Sequence, residues 1–268
     1  MTVINSGKTK QIIAVSGNDN EVDIISNSNV TAGDGESKDS VENKAEYATT
    51  TTCNIFRMLS ACGVHSHYLE RISKNTFRAK KCIPIQMECI GRRIATGSFL
   101  NRHSDVAEGF KFKKPVIEFF FKDDARHDPM MVWNSKNSNF DLFDAKDLSL
   151  GVIDSIDVNA GNLQINKEVL DILEAKTKEI FLLLESAWAE LGVLFVDFKI
   201  EFGIDTETGK IILFDVIDND SWRIWPKGDK TLDPSKQVYR DSVSKDSETL
   251  KKISKNYKHV AEQTALML

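Results

Sequence analysis

Seven consecutive residues, Val196-Asp197-Phe198-Lys199-Ile200-Glu201-Phe202, alternate apolar and charged side chains without a break. Alternation of this kind marks a strand, so Asp197, Lys199 and Glu201 share one face and the apolar residues share the other. The segment Glu207-Thr208-Gly209 fits a three-residue hairpin loop with glycine at the left-handed position. Counting outward from such a loop sets Thr206 opposite Lys210 and Glu201 opposite Asp215. Two carboxylates facing each other across a strand pair repel unless a cation lies between them. Mg2+ shared with substrate phosphates is the natural cation, because it takes only one or two protein carboxylates. The competing reading is a solvated strand face with local ion pairs. Against it, Asp218, Asn219, Asp220 and Arg223 crowd the end of the second strand beside Trp222 and Trp225, which packing does not explain.

Other segments could handle phosphate. Gly7-Lys8-Thr9-Lys10 precedes the first strand; its glycine allows close backbone approach and its lysines supply point charges. It is not a P-loop, which needs a longer glycine spacing ahead of a helix. Thr31-Ala32-Gly33-Asp34-Gly35 reads as a turn with exposed amides and one carboxylate. Arg92-Arg93-Ile94-Ala95-Thr96-Gly97-Ser98 ends a strand and opens a helix, where free N–H groups suit an anion. Lys122 closes an apolar strand, and Arg240 follows in Tyr239-Arg240-Asp241. The five histidines form no metal-type pair, and His65 and His67 read as surface residues.

The elements that must position these groups follow from periodicity. Strands are expected at 11–15, 22–26, 76–82 and 86–95. A helix is expected over 39–61, closed by Gly63, with the Thr49–Thr52 run as poor helix material. The run 116–121 reads as a short apolar strand buried on both faces. Residues 134–162 read as a polar excursion. Apolar residues at helical spacing give a helix over 167–191, ended by Gly192. Strands at 194–204 and 210–217 and an amphipathic helix at 247–265 complete the chain. This order suggests an α+β protein of two lobes: a β-rich first lobe (1–85), a larger α+β second lobe (86–241) and a C-terminal helix (242–268).

Composition sets outer limits. The 268 residues carry 35 Lys+Arg against 40 Asp+Glu, a net charge of −5, so broad nucleic-acid binding is not expected. No apolar run reaches membrane-span length and the first residues lack a secretory apolar stretch, so a cytoplasmic protein is expected. Cys53, Cys62, Cys82 and Cys89 have no CxxC spacing and read as buried reduced thiols.

Together the motifs resemble the SAICAR synthetase (phosphoribosylaminoimidazole-succinocarboxamide synthase) family, in its animal form. The matching stretches are GKTK at 7–10, VTAGDG at 30–35, NK at 43–44, KKCIPIQMECIGRRIATGSFLNR at 80–102, FFFKDDARHDP at 119–129, VDFKIEFGID at 196–205, LFDVIDNDSWRIWPKGD at 213–229 and KQVYRD at 236–241. The resemblance implies a two-lobed fold whose first lobe is like the ATP-binding lobe of kinases. It also implies a reaction: ATP phosphorylates the carboxylate of CAIR, and the amine of L-aspartate displaces the phosphate to give SAICAR. On the matched positions, Lys8, Lys10 and Lys122 would neutralise ATP phosphates, and Glu201 and Asp215 would hold Mg2+. Glu88 would fall where the chain between the lobes meets adenine. Arg92, Ser98, Asp220 and Arg223 would hold CAIR. Asp34, Lys199 and Arg240 would serve the CAIR carboxylate, the acyl phosphate and aspartate, and Asp197 would contact the amino or imidazole groups of CAIR. Residues 134–162 match nothing in the family pattern, and Glu36-Ser37 departs from the residues usual after the GDG turn. In animals the synthetase is commonly fused to an AIR carboxylase domain; a chain ending after one helix implies a stand-alone form or the synthetase part alone. The alternatives are a small-molecule kinase of the inositol-phosphate type, and a non-catalytic nucleotide-binding subunit of a purine-enzyme assembly.

Overall fold

The described residues form two large antiparallel sheets and three long helices. The computed structural model describes residues 2–32, 37–237, 239 and 246–268. Before Lys81 lie β1 (Val3–Ser6), β2 (Lys10–Val15), β3 (Asn18–Ser26), β4 (Asn29–Ala32), β5 (Ser37–Ser40), α1 (Lys44–Ala61), β6 (Tyr68–Ser73) and β7 (Thr76–Lys80). They form a five-stranded sheet in the order β1-β2-β3-β7-β6, with β4 and β5 as a separate ribbon. Next come β8 (Cys82–Ile94), α2 (Ser98–Arg102), β9 (Lys111–Phe121), β10 (Met130–Asn134), β11 (Asn139–Phe143), β12 (Val152–Ile156) and the small β13 (Asn159–Ala160) and β14 (Leu163–Gln164). The chain continues through α3 (Lys167–Glu190), β15 (Val193–Asp205), β16 (Ile211–Phe214), β17 (Trp222–Pro226) and α4 (Ser247–Ala265). The second sheet runs β12-β11-β10-β9-β8-β15-β16, and β17 pairs with the first half of β15.

The core follows from the alternation in β15. Phe198, Ile200 and Phe202 are buried in one cluster with Leu173, Ile180, Phe181, Leu184 and Trp188 of α3 and Ile55, Phe56 and Leu59 of α1. Gly91 of β8 lies beneath α3, where a Cβ would come within 2.7 Å of both Phe181 and Phe198. Arg92 and Arg93, adjacent in a strand, must point to opposite faces. Arg93 clamps α3 through Glu185, with both contacts at 2.6 Å, which leaves Arg92 for the other face.

Three expectations change. The first helix begins at Lys44 rather than near 39, because residues 37–40 pair with 29–32 and Asn43 takes a left-handed conformation, φ 59°. Its threonines anchor it tertiarily instead: Thr49 Oγ1 lies 2.9 Å from Ser26 Oγ, and Thr52 Oγ1 donates to the Ile217 carbonyl at 3.2 Å. The supposed excursion 134–162 builds the outer part of the large sheet, with Phe140 and Leu142 fully buried from an otherwise polar stretch. All four cysteines are free, but Cys62 is exposed and Cys82 half-buried, so the buried reading holds for Cys53 and Cys89 alone.

Candidate active site

The charged face of β15 is covered, not solvated. Asp197 and Glu201 are 5% and 4% exposed, which removes the reading of a solvent-facing strand. The hairpin is one residue longer than counted. Asp205 pairs with Lys210 and accepts from the Glu207 N–H and the Thr208 hydroxyl, so the loop has four residues and Glu201 stands opposite Phe214. The carboxylate directly across from Glu201 is Glu88 of β8. Glu88 thus lies within β8, in the interior of the large sheet, six residues past the start of the strand at Cys82.

Lysines separate these acids. Lys122 Nζ lies 2.6 Å from both Glu201 oxygens, and Lys199 pairs with Glu88 and stands 4.0 Å from Glu201. Asp215 leaves β16 in a left-handed conformation, φ 68°, and pairs with Lys10 at the start of β2. Lys8 reaches Asp124 at 3.1 Å, joining the GKTK segment to the loop after Lys122. The expected lysines and carboxylates thus converge, although the strand register was not the cause. Burial pulls the Lys10 ammonium down to about 8; Glu201 and Asp218 resist this, while Lys122 and Lys199 add to it. Burial favours the neutral form of Glu201, but Lys122 and Lys199 outweigh it and hold its carboxyl below the usual range. Burial raises Glu88, with Lys199 opposing and Glu201 adding. Among the described residues no three His, Cys, Asp or Glu groups converge to hold a metal alone. A hard cation fits Glu201 and Asp215 if phosphate oxygens complete its shell.

Beside this cluster runs a chain of arginines and acids. Arg92 Nη1 donates to Asp197 at 2.7 Å, and Arg223 donates to the same carboxylate through Nε at 2.9 Å and through Nη2. Arg223 lines a cleft of about 520 Å³ with Thr96, Gly97, Glu108, Trp225 and Lys230. Gly97 has φ 61°, and a Cβ there would collide with the Arg223 guanidinium, which gives the glycine of the ATGS motif its reason. Ser98 is exposed and opens α2, a helix of only five residues. Around Asp220, Lys44 and Lys236 approach to 3.6 and 3.4 Å, and the Tyr257 hydroxyl of α4 donates to it. Its neighbour Asp218 is pushed up to about 6 by burial, with Asp220 adding and Lys44 opposing. Asp34 and Arg240 lie outside the described residues.

A SAICAR synthetase family model matches residues 3–257. The chain belongs to the SAICAR synthetase family. It is 46% identical over 243 residues to the bifunctional purine synthesis protein purC/E of Dictyostelium discoideum, covering 91% of this chain and 23% of that one. It is 36% identical to the phosphoribosylaminoimidazole-succinocarboxamide synthase of Roseiflexus sp. (strain RS-1), covering 96% and 94%. The fold is similar to that of a SAICAR synthetase solved in complex with ADP, with TM-score 0.78, 25% identity and coverage of 98% and 97%. The chain thus spans about a quarter of the bifunctional relative and nearly all of the Roseiflexus protein.

Within this candidate site, several residues escaped the sequence reading. His67, expected at the surface, is fully buried against Phe56, Phe77 and Phe214. Its Nε2 lies 2.9 Å from the Asp215 carbonyl, and since a carbonyl only accepts, Nε2 carries the proton. Burial, with Lys10 adding, drops its pKa to about 3, so the ring is neutral. Two histidines one residue apart, with one buried in a strand-like segment, carry no signal beyond that alternation. Lys44 is 1% exposed, and the NK motif marked its position without a role. Glu118 is buried in the β9 run read as apolar; one carboxylate in such a run is a signal in itself, because buried charge needs a partner.

Proposed function

We propose that this chain is an ATP-dependent ligase that joins CAIR and L-aspartate to give SAICAR, ADP and phosphate. The observation that carries this reading is the placement of Asp197, Lys199 and Glu201 on one strand face. That face links a lysine–carboxylate cluster suited to a triphosphate with an arginine-lined cleft suited to an anionic substrate. The ADP complex of a structural relative supports nucleotide binding here. Lys8, Lys10 and Lys122 neutralise the ATP phosphates. Glu201 and Asp215 are the residues that would hold Mg2+, which when bound offsets phosphate charge. Arg92, Ser98, Asp220 and Arg223 hold CAIR, while Asp197 fixes the two arginines and meets the amino or imidazole groups of CAIR. Lys199, oriented by Glu88, faces the carboxylate being phosphorylated; Asp34 and Arg240 serve aspartate and the acyl phosphate. The γ-phosphoryl group passes to a CAIR carboxylate oxygen, leaving ADP. The aspartate amine then attacks the acyl carbon, phosphate leaves and the amine loses a proton. No protein nucleophile is required, since positioning and charge neutralisation supply the rate.

We further propose a cytoplasmic location, supported by four unpaired thiols, and association with or fusion to AIR carboxylase, supported by a 38% identical Homo sapiens relative named bifunctional phosphoribosylaminoimidazole carboxylase/phosphoribosylaminoimidazole succinocarboxamide synthetase. Among the described residues no helix is long and apolar enough to cross a membrane. The test is a coupled ADP-release assay with CAIR, with and without L-aspartate. Sustained release is expected only when both are present. Equal release with an inositol phosphate and no aspartate would favour the kinase reading, and nucleotide binding without any turnover would favour the non-catalytic one.

A further inference from the structure

Arg92 is clamped on two edges. Glu118 accepts from its Nε at 2.5 Å and Asp197 from its Nη1 at 2.7 Å. Arg92, Glu118 and Asp197 are 2%, 5% and 5% exposed, so neither bond competes with bulk water. Among the described residues, Nη2 of Arg92 has no hydrogen-bond partner. Glu118 is itself held from behind: Arg102 Nη2 donates to its other oxygen at 2.6 Å. Arg102 is anchored in turn by Nη1, which donates to the Ala145 carbonyl at 2.7 Å and the Ser98 carbonyl at 3.2 Å. The order Arg102–Glu118–Arg92–Asp197–Arg223 alternates in sign and ends at the cleft beside Gly97.

An arginine facing one carboxylate prefers a two-bond, side-by-side pairing. Left with Asp197 alone, Arg92 would turn to donate through two of its nitrogens and consume donors that now stay open. Glu118 prevents this by occupying Nε. We propose that Glu118, with Arg102 behind it, is a positioning residue that sets which edge of Arg92 is presented to the anionic substrate. The chain of contacts extends this control to Arg223 through the shared Asp197. The inference rests on the reading that Arg92 and Arg223 hold CAIR.

Glu118→Gln keeps the shape and removes the charge. It is expected to raise the KM for CAIR about tenfold or more, the size of a lost charged hydrogen bond. The KM values for ATP and aspartate should stay within about twofold, since a positioning loss confined to one substrate moves one KM. Glu118→Asp, which keeps the charge, should recover part of the loss; a merely structural ion pair would not sort the substrates in this way. An unchanged KM for CAIR, or equal rises for CAIR and ATP, overturns the proposal. If Glu118→Gln does not fold, as judged by its thermal transition, Arg102→Gln is measured instead. It loosens Glu118 while leaving the Glu118–Arg92 bond, and a rise in the same KM supports the proposal whereas none overturns it. A wild-type protein lacking CAIR- and aspartate-dependent ADP release overturns the underlying reading and the inference with it. An active wild type with an unaltered Glu118→Gln overturns the inference alone.

Discussion

Asp215 illustrates how much a single backbone torsion does here. At φ 68° it adopts a conformation that aspartate tolerates better than most residues, and its carbonyl is held by the buried His67. The turn sends its carboxylate to Lys10, into the same group of charges as Glu201 and Lys122. If these two acids hold the cation, Asp215→Asn lowers Mg2+-dependent ADP release by about a hundredfold or more, the scale of losing one group that offsets developing charge. The fold should change little, because an amide keeps the shape. Initial rates across a Mg2+ series check this, and near-normal activity would sink the metal assignment. The lysines have a matching role in the free protein. They hold Glu201 ionised against burial, which keeps the carboxylate ready for a cation.

The β8–β15 pair with α3 on one face and the charged site on the other is the element that sets the geometry. Its regular register through Asp197↔Arg92, Lys199↔Ile90 and Glu201↔Glu88 puts every second residue of both strands on the site. The opposite face must hold α3 close, and Gly91 is what permits it. Gly91→Ala places a Cβ against the rings of Phe181 and Phe198, which cannot retreat within a filled core. Overpacking of this kind costs about 1–3 kcal/mol. The urea midpoint should fall accordingly with an unchanged slope, which equilibrium unfolding measures. A midpoint equal to that of the wild type would show that α3 has slack. The alternation and the two long helices were legible in the sequence because periodicity is a local property. The strands at 134–162 were not, because Phe140 and Leu142 are too few to outweigh their polar neighbours until β10 and β12 flank them.

Across the whole molecule, α1, α4 and the segment after β16 meet at Asp218 and Asp220. Lys44 opens α1, Tyr257 comes from α4, and the Lys44 ammonium sits 4.9 Å from the Tyr257 ring. This junction ties the C-terminal helix to α1 as well as to the site, and Asn54 of α1 adds a hydrogen bond to Thr264 at 3.2 Å. Asp218 gives the junction a pH dependence of known sign. Its folded pKa of about 6 lies above the ordinary value of 3.8, so its charge destabilises the fold above about pH 6. As pH falls from 6 towards 4 the folded state binds the proton first, and stability from this group rises. Asp218→Asn should therefore exceed the wild type at pH 7–8 by on the order of 2 kcal/mol, with the gap closing by pH 4. Thermal unfolding of both proteins across that range tests it; a pH-independent gap would mean that the buried carboxyl titrates normally.

By itself the sequence determined which residue types are present at which spacing, and that was enough for the family motifs, the charged strand and the main helices. The net charge of −5 argued only against broad nucleic-acid binding. Tertiary structure alone decided which charge faces which. A hairpin loop longer by one residue put Phe214 instead of Asp215 opposite Glu201 on β16, and the acid across from Glu201 is Glu88 on its other neighbour, β8. A left-handed torsion and a buried histidine then brought Asp215 back to the cluster by another route. The physical reason is that side-chain direction in a strand flips with every residue, so contacts depend on register and on turns that local patterning leaves open.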